Sequence, residues 1–286
     1  MLYQKFGKWY AKYYRKLMIL PALVFLSAVL IFVNNYAKHG YFFPKDIDLS
    51  GGTVVTVYIN HTVPHAKERL ENLGFSVRDI RKYDTHELVA VIVEAGPEFN
   101  ESFVVRAVNE TFPGHKFDVR HVGPAMGASF LKSAQKAVAI SFILMGIILA
   151  AIFRVPIVAF TVILSGFLDV FEAAAYMTLF GIKLAPHTIG ALLMHMGWSV
   201  DSEVLFDTKI LKRTEGDPKE RALNAMKTAM TMSAAIFASL IALYFFSTSQ
   251  LIKEIAIVLM LGAFFDIINT WCQSLSMVLW YVEARK

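Results

Sequence analysis

Six long apolar runs constrain this chain more than any other feature of its sequence. They occupy residues 17–33, 137–153, 157–180, 187–206, 231–246 and 255–282. A helix of about 20 apolar residues is long enough to cross the hydrocarbon core of a bilayer. Charged residues are frequent between residues 40 and 122 and sparse between 131 and 281, within a chain that is 56% hydrophobic. The sequence therefore predicts an α-helical membrane protein with six transmembrane helices and one water-exposed domain after the first helix.

The lysine and arginine residues beside these runs predict the orientation, because cytoplasmic loops are enriched in them. Three groups of basic residues stand out: Lys5, Lys8, Lys12, Arg15 and Lys16; Lys209, Lys212, Arg213, Lys219, Arg221 and Lys227; and Arg285 and Lys286. The loops after the third and fifth runs offer only Lys183 and Lys253. We therefore expect a multi-pass protein of the cell membrane with both termini in the cytoplasm.

This orientation divides the chain into three parts. Residues 1–37 hold the cytoplasmic N-terminus and the first transmembrane helix, residues 38–130 form an extracytoplasmic domain, and residues 131–286 hold helices two to six and the C-terminus. The aromatic residues of the N-terminal segment leave an alternative open, in which that segment lies in the membrane interface as an amphipathic helix. These residues are Trp9, Tyr10, Tyr13 and Tyr14.

The outer segment has the pattern of a small α+β domain. Strand signals occur at residues 53–60, 76–83, 87–94 and 116–122, and helix signals at 64–73 and 101–112. The order βαββαβ predicts a ferredoxin-like arrangement. Six of the eight histidines lie in this segment, but none has a helix-spaced histidine or a cysteine beside it, so we expect no metal site. Sequons at Asn60, Asn100 and Asn109 fall in the same segment, and the sequence leaves their glycosylation open.

Carboxyl groups inside the apolar runs are the candidate functional residues. Asp169 and Glu172 lie in the third run, Asp201 and Glu203 in the fourth, and Asp266 in the sixth. Each costs about 2.5 kcal/mol or more near the bilayer centre, so each needs a pairing, hydration or protonation. Asp169, Asp201 and Asp266 fall near the middle of their runs and would share one layer if these helices are adjacent. Such a layer predicts proton or ion coupling.

A structural alternative stays open for these carboxyls, namely hydrogen bonds to polar side chains of neighbouring helices. The candidate partners are Ser165, Ser199, Ser202, Asn269 and Thr270. Glu203, Asp207 and Lys227 lie closer to the cytoplasmic ends, where we expect them to reach the interface. The chain has no phosphate-binding glycine loop and no cysteine–histidine cluster. It is therefore expected to be no enzyme, to hold no cofactor or metal, and to bind no nucleic acid.

Three short motifs resemble those of one known family. Residues 197–213 read GWSVDSEVLFDTKILKR, residues 48–53 read DLSGGT, and residues 122–124 read VGP. Together they resemble the protein-export membrane proteins SecD and SecF of the resistance–nodulation–division superfamily. The matching motif positions are Asp48, Gly51, Gly52, Thr53, Gly197, Ser199 and Asp201. The small outer domain favours the SecF branch, and the pattern of Asp266 followed by Asn269-Thr270-Trp271 resembles its archaeal members.

The resemblance implies a role in protein export. Members of the family pair as SecD and SecF, associate with the Sec translocon, and use the proton gradient to assist passage of unfolded polypeptides through the membrane. By resemblance, Asp201 would carry the proton, while Asp169 and Lys227 would tune it. Three positions depart from the bacterial pattern: Leu168 stands where it has histidine, Lys227 where it has arginine, and Asp266 where it has glycine. The details of a bacterial-type proton relay therefore stay open.

Three rival interpretations remain at this point. Asp169 and Asp201 on adjacent helices would suit an intramembrane aspartyl protease, but the G-x-G-D motif of that class is absent from the third, fourth and sixth runs. A small-molecule or lipid exporter of the same superfamily usually has twelve spans and two large outer domains, twice what this chain has. A passive scaffold that stabilises SecD or the translocon is compatible with the sequence.

Overall fold

The structure is a computed structural model that describes residues 2–59, 61, 63–82, 87–212 and 217–284. The chain divides into two compact units. One comprises Met1–Pro44, Ala137–Ile182 and His187–Lys286, and the other comprises Lys45–Lys136 and Lys183–Pro186. Several positions used above lie outside the described residues, namely Asn60, His86, Arg213, Arg285 and Lys286.

The second unit is built on a four-stranded antiparallel sheet. Its elements are α3 (Ile47–Ser50), β1 (Gly52–Tyr58), α4 (Ala66–Asn72), β2 (Ser76–Arg81), β3 (Leu88–Ala95), α5 (Glu101–Thr111) and β4 (Phe117–Val122). The strands lie in the order β2-β3-β1-β4, so that β1 pairs with both β3 and β4. The strands and helices form where alternation and helical spacing predict them.

The core of this unit lies between the sheet and the two helices α4 and α5. Val55 and Val93 of the central strands are fully buried, as are Leu70 of α4 and Val104 of α5. Asn100 caps α5, since its side-chain oxygen accepts a hydrogen bond from the backbone amide of Ser102 at 3.1 Å. With no disulfide possible from one cysteine, this apolar core holds the unit together.

A four-residue segment from far along the chain, residues 183–186, belongs to the same unit. The amide of Asp46 donates to the carbonyl of Leu184 at 2.9 Å. Lys183 donates through Nζ to the Glu94 carboxylate at 2.8 Å, and Arg78 pairs with the same carboxylate. Glu94 is only 5% exposed, and a buried charge of this kind requires such partners. These contacts make residues 183–186 part of the sheet unit.

The first unit is helical. Its elements are α1 (Leu2–Leu17), α2 (Ile19–His39), α6 (Pro124–Phe153, shared with the other unit), α7 (Pro156–Met177), α8 (Pro186–Asp207), α9 (Pro218–Phe246), α10 (Gln250–Ile268) and α11 (Leu275–Ala284). Within the part of the chain described, four helices are long and apolar enough to cross a membrane: Lys12–His39, Pro124–Phe153, Pro156–Phe180 and Pro218–Phe246. Helices α8 and α10 are long as well but hold more polar and charged residues, and the count of six stays a prediction.

Helix α7 is the central helix of this unit. In its most apolar stretch 56% of the residues are buried, against 17% or less in the other three long apolar helices. Polar residues on a central helix face protein and not lipid, where a hydrogen-bond partner is available. This position of α7 decides where the polar site of the protein lies.

An ion cluster gathers α1, α9 and α11 at one end of the helical unit. The Glu283 carboxylate accepts a hydrogen bond from Tyr14 and pairs with Lys219 at 2.9 Å and Arg15 at 3.1 Å. The Tyr14 hydrogen bond and the two cations lower the pKa of Glu283. The end of α1, the start of α9 and the end of α11 therefore lie together.

Within α1, Tyr10 is buried and its hydroxyl donates to the carbonyl of Trp271 at 2.7 Å.

Candidate functional site

The site begins with a polar stripe along α8. His195, Ser199, Glu203 and Asp207 follow one another at intervals of four residues, and each is 1% exposed. Residues four apart lie on the same face of a helix, one turn above another. The stripe therefore faces the neighbouring helices over three turns, about 18 Å at a rise of 1.5 Å per residue.

Helix α7 presents two carboxyls to this stripe. Both Asp169 and Glu172 are fully buried. Ser199 donates its hydroxyl to Oδ2 of Asp169 at 2.7 Å. The Asn269 amide group donates to Oδ1 of Asp169 at 2.8 Å and to Oε2 of Glu172 at 2.9 Å. Asn269 thus uses both of its N–H donors on carboxyls and joins the two groups.

The remaining partners come from a π-helical segment, Asn269–Ser274, that follows α10. Such segments shift the helical register and are frequent at functional sites. Thr270 lies with its hydroxyl oxygen 2.9 Å from Oδ1 of Asp266 and 3.1 Å from Oε1 of Glu203, and Ser274 donates to the other oxygen of Glu203. The segment therefore connects Asp266 on α10 to Glu203 on α8.

The Thr270 bridge has a consequence for protons. A hydroxyl carries one hydrogen and can donate to only one of the two carboxyls that it contacts. A hydrogen bond to the second carboxyl requires that carboxyl to supply its own proton. Both contacts of Thr270 are therefore hydrogen bonds only when Glu203 or Asp266 is protonated.

The carboxyl cluster comprises Asp169, Glu172, Glu203, Asp207 and Asp266. Each member is at most 8% exposed. In the described part of the chain, no lysine or arginine forms an ion pair with any of them. Five uncompensated carboxylates this close together repel one another, so they cannot all be ionised at once. The cluster has the chemistry of a proton-loading site.

Several buried polar atoms along the cluster have no hydrogen-bond partner among the described residues. They are Oγ of Ser165, Oε1 of Glu172, both ring nitrogens of His195, Oδ2 of Asp207, Oδ1 of Asn269 and Oε1 of Gln273. Buried atoms of this kind are where internal water binds in proteins. They follow α7, α8 and the π-helical segment, so the cluster has the lining of a polar path.

The structure separates the sequence candidates into two groups. It brings Asp169, Glu172, Glu203 and Asp266 together, but Asp201 lies exposed on the other face of α8. Asp201 therefore does not meet Asp169 and Asp266, because the step of two residues from it to Glu203 turns the chain about 200° around the helix. The expectation of one layer at similar depth stays a prediction. Lys227 is exposed on α9.

Glu203 and Asp207 also differ from expectation. Both were predicted to reach the interface, yet both are 1% exposed within the helical unit. Their spacing of four from Ser199 places them on the buried stripe, and that spacing is a signal that the sequence contains. The hydrogen bonds from Ser199, Asn269 and Thr270, named above as the structural alternative, are present as well. His195 and Ser274 also line the site, and the sequence analysis did not predict them.

The motif at residues 48–53 has a different place, in the sheet unit. Asp48 pairs with Arg120 of β4 at 3.1 Å, and the Thr53 hydroxyl lies 3.0 Å from Nδ1 of His121. Gly51 and Gly52 have φ angles of +81° and +137°. These residues shape the entry into β1, and the motif has a structural role there.

Comparison with known proteins identifies the family. The family described as "Protein export membrane protein SecD/SecF, C-terminal" matches residues 104–284. The protein-export membrane protein SecF of Pyrococcus furiosus is 36% identical over 276 residues, which cover 95% of this chain and 92% of that protein. The chain belongs to the SecF family of protein-export membrane proteins. The resemblance drawn from the motifs is thereby confirmed.

Further relatives agree with this assignment. SecF of Methanothermobacter thermautotrophicus is 33% identical over 285 residues, covering 96% of this chain and 94% of that protein. The crystal structure of SecDF from Thermus thermophilus, described as a translocon-associated membrane protein, superposes with a TM-score of 0.72 at 21% identity. It covers 96% of this chain, whereas this chain spans only 38% of the SecDF chain. That likeness confirms a mostly helical membrane fold with a small antiparallel sheet.

Proposed function

We propose that this SecF-family chain pairs with SecD and uses the proton gradient to assist translocation of unfolded polypeptides through the Sec translocon. The observation that carries the proposal is the carboxyl cluster, in which five buried carboxyls have no lysine or arginine partner among the described residues. Burying several carboxyls in a membrane is costly, and ion pathways are the usual reason for it. Protonation and release would change the repulsion among the carboxyls of α7, α8 and α10.

The exposed face of α8 supports the pairing with SecD. Met194 and Asp201 both lie on it, and Met194 is 45% exposed. An ionised carboxyl directed at lipid from the middle of a span costs about 2.5 kcal/mol or more, so Asp201 requires a cover. The SecDF chain that shares this fold is more than twice as long as the part matched here. We infer that SecD covers this face.

The finer architecture belongs to the same proposal. We infer six transmembrane helices with both termini in the cytoplasm, which the ion cluster of Arg15, Lys219 and Glu283 supports by gathering both chain ends and the start of α9. The strand order β2-β3-β1-β4 supports a ferredoxin-like outer domain that holds emerging polypeptide. The chain would act without a cofactor and catalyse no covalent reaction.

Collapse of the proton gradient tests the coupling. We expect the gain in export rate that this chain provides, measured as the difference between cells with and without it, to disappear when a protonophore is added. The physical reason is that the carboxyl cluster can do work only while protons enter on one side and leave on the other. Pulse-labelling of a secretory protein gives the rate. A gain that persists without the gradient would favour the passive scaffold.

Replacing Asp201 by leucine tests the pairing. If Asp201 faces SecD, we expect SecD recovered with the tagged chain to fall about tenfold, since loss of a buried partner group costs about 1–3 kcal/mol. If Asp201 faces lipid, leucine removes the cost of the carboxyl and recovery stays unchanged or rises. Met194→Leu on the same face serves as the matched control. Unchanged recovery of SecD with Asp201→Leu would contradict the pairing through α8.

A further inference from the structure

His195 is a buried imidazole that no role described so far explains. Its side chain is 1% exposed, and neither ring nitrogen has a hydrogen-bond partner among the described residues. A buried polar group without a hydrogen-bond partner costs about 1–3 kcal/mol. Such a group in a folded protein therefore calls for an explanation, and a functional role is one. The other histidine of α8, His187, illustrates the ordinary case, because its Nε2 lies 3.0 Å from the carboxylate of Glu254.

The ring of His195 points at the carboxyl cluster. Nε2 lies 4.0 Å from Oδ2 of Asp169, the oxygen that accepts the Ser199 hydroxyl. This separation is about 1 Å longer than a hydrogen bond. A small movement of α8 or of the ring therefore makes or breaks a direct bond between His195 and Asp169.

Gly262 on α10 makes room for the ring. A Cβ atom at this position would lie 2.5 Å from Cγ, 2.6 Å from Cδ2 and 2.8 Å from Nδ1 of His195. Carbon and nitrogen atoms do not approach this closely without a bond, so any side chain at 262 would displace the imidazole. Glycine at this helical position has a packing reason, namely to seat His195 beside Asp169.

We propose that His195 passes protons to and from Asp169, with Gly262 holding the ring at the distance where one small movement completes the transfer. The inference rests on the proposed function. In the inward direction, a hydronium ion in the path gives its proton to Nδ1 and becomes water, and the new N–H bond makes the ring an imidazolium. The N–H bond at Nε2 then breaks as the Asp169 carboxylate takes that proton and forms an O–H bond, which leaves a neutral imidazole beside a carboxylic acid. No electron is transferred.

The location along α8 gives His195 its place in the path. It lies one turn from Ser199 toward Pro186, the end that the predicted orientation places outside. The buried carboxyls on the helices that carry or flank it are Asp169 and Glu172 of α7, Glu203 and Asp207 of α8, and Asp266 of α10. Among the described residues of these helices, the other basic side chains are His187 of α8, which pairs with Glu254, and Lys253 of α10, beside Glu254 at the start of that helix. His195 would transfer protons between the outer end of the path and Asp169.

The test compares four variants of the full chain, expressed with SecD and assayed for gradient-dependent export over a range of external pH. His195→Asn keeps hydrogen bonding but has no ring nitrogen that can take and release a proton. Gly262→Ala displaces the ring without changing its chemistry. Gly190→Ala is the matched control, because a Cβ there meets nothing within 4 Å. Asp169→Asn reports on the carboxyl cluster itself. The abundance of each variant in the membrane is measured alongside.

We expect His195→Asn and Gly262→Ala each to lower gradient-dependent export about tenfold and to flatten its pH profile, with Gly190→Ala unchanged. A purely packing role for His195 would lower abundance or scale the rate equally at every pH, and either result would overturn the relay. If Asp169→Asn abolishes export while both His195→Asn and Gly262→Ala leave it intact, only the relay fails. If Asp169→Asn has no effect, the proposed function fails and the relay with it.

Discussion

Replacing Asp169 by asparagine is expected to lower gradient-dependent export about tenfold or more, the largest functional effect of any single change in this chain. Asp169 is fully buried and accepts hydrogen bonds from Ser199 and Asn269, which lie on two different elements. It is also the carboxyl that His195 approaches. Asparagine keeps the size of the side chain and removes its ability to take up and release a proton. Proton transfer through the carboxyl cluster would therefore stop at position 169.

The effect of Asp169→Asn must be separated from damage to the fold. The new amide has one acceptor oxygen where the carboxylate had two, so one of its two donors loses its partner at a cost of about 1–3 kcal/mol. Export is therefore normalised to the amount of chain recovered with SecD. Glu254→Gln is the matched control, because this carboxyl pairs with His187 at the other end of α10 and outside the cluster. Export equal to wild type in Asp169→Asn would rule out the carboxyl cluster as the coupling site.

Replacing Gly52 by alanine is expected to destabilise the sheet unit by about 3 kcal/mol or more. Gly52 has a φ of +137°, which only glycine adopts without strain, and a Cβ atom there would lie 2.3 Å from the carbonyl oxygen of Ala95. The strand β3 that carries Ala95 is paired with β1 in the centre of the sheet and cannot move aside. Thermal unfolding of the purified full chain, followed by hydrogen–deuterium exchange at the amides of β1 and β3, measures the loss.

The neighbouring motif glycine and a matched control sharpen this prediction. A Cβ atom at Gly51 would meet Pro124 at 2.7 Å, whereas one at Gly123 would meet nothing within 4 Å. We expect Gly51→Ala to destabilise the unit as Gly52→Ala does and Gly123→Ala to have little effect. If Gly52→Ala instead unfolds at the wild-type temperature but abolishes export, the motif has a functional role beyond shaping the entry to β1.

The elements of the sheet unit could be predicted from the sequence because their signals are local. Alternating apolar residues set the strands, and the turn residues between them set the ends. Gly74 shows this, since it follows α4 with a φ of +89°, where glycine is favoured. The family could likewise be assigned from short motifs, because residues that share a motif are neighbours along the chain.

The sequence by itself therefore determined the class of protein, the place of the sheet unit along the chain and the apolar helices. Only the tertiary structure decided which polar residues meet. Asp201 and Glu203 are two residues apart, yet one is exposed and the other is 1% exposed in the cluster. Helical geometry turns them about 200° apart, but which face is buried depends on the helices that pack there. Asn269 bonds Asp169 from 100 positions away along the chain, and packing of α7, α8 and α10 brings such residues together.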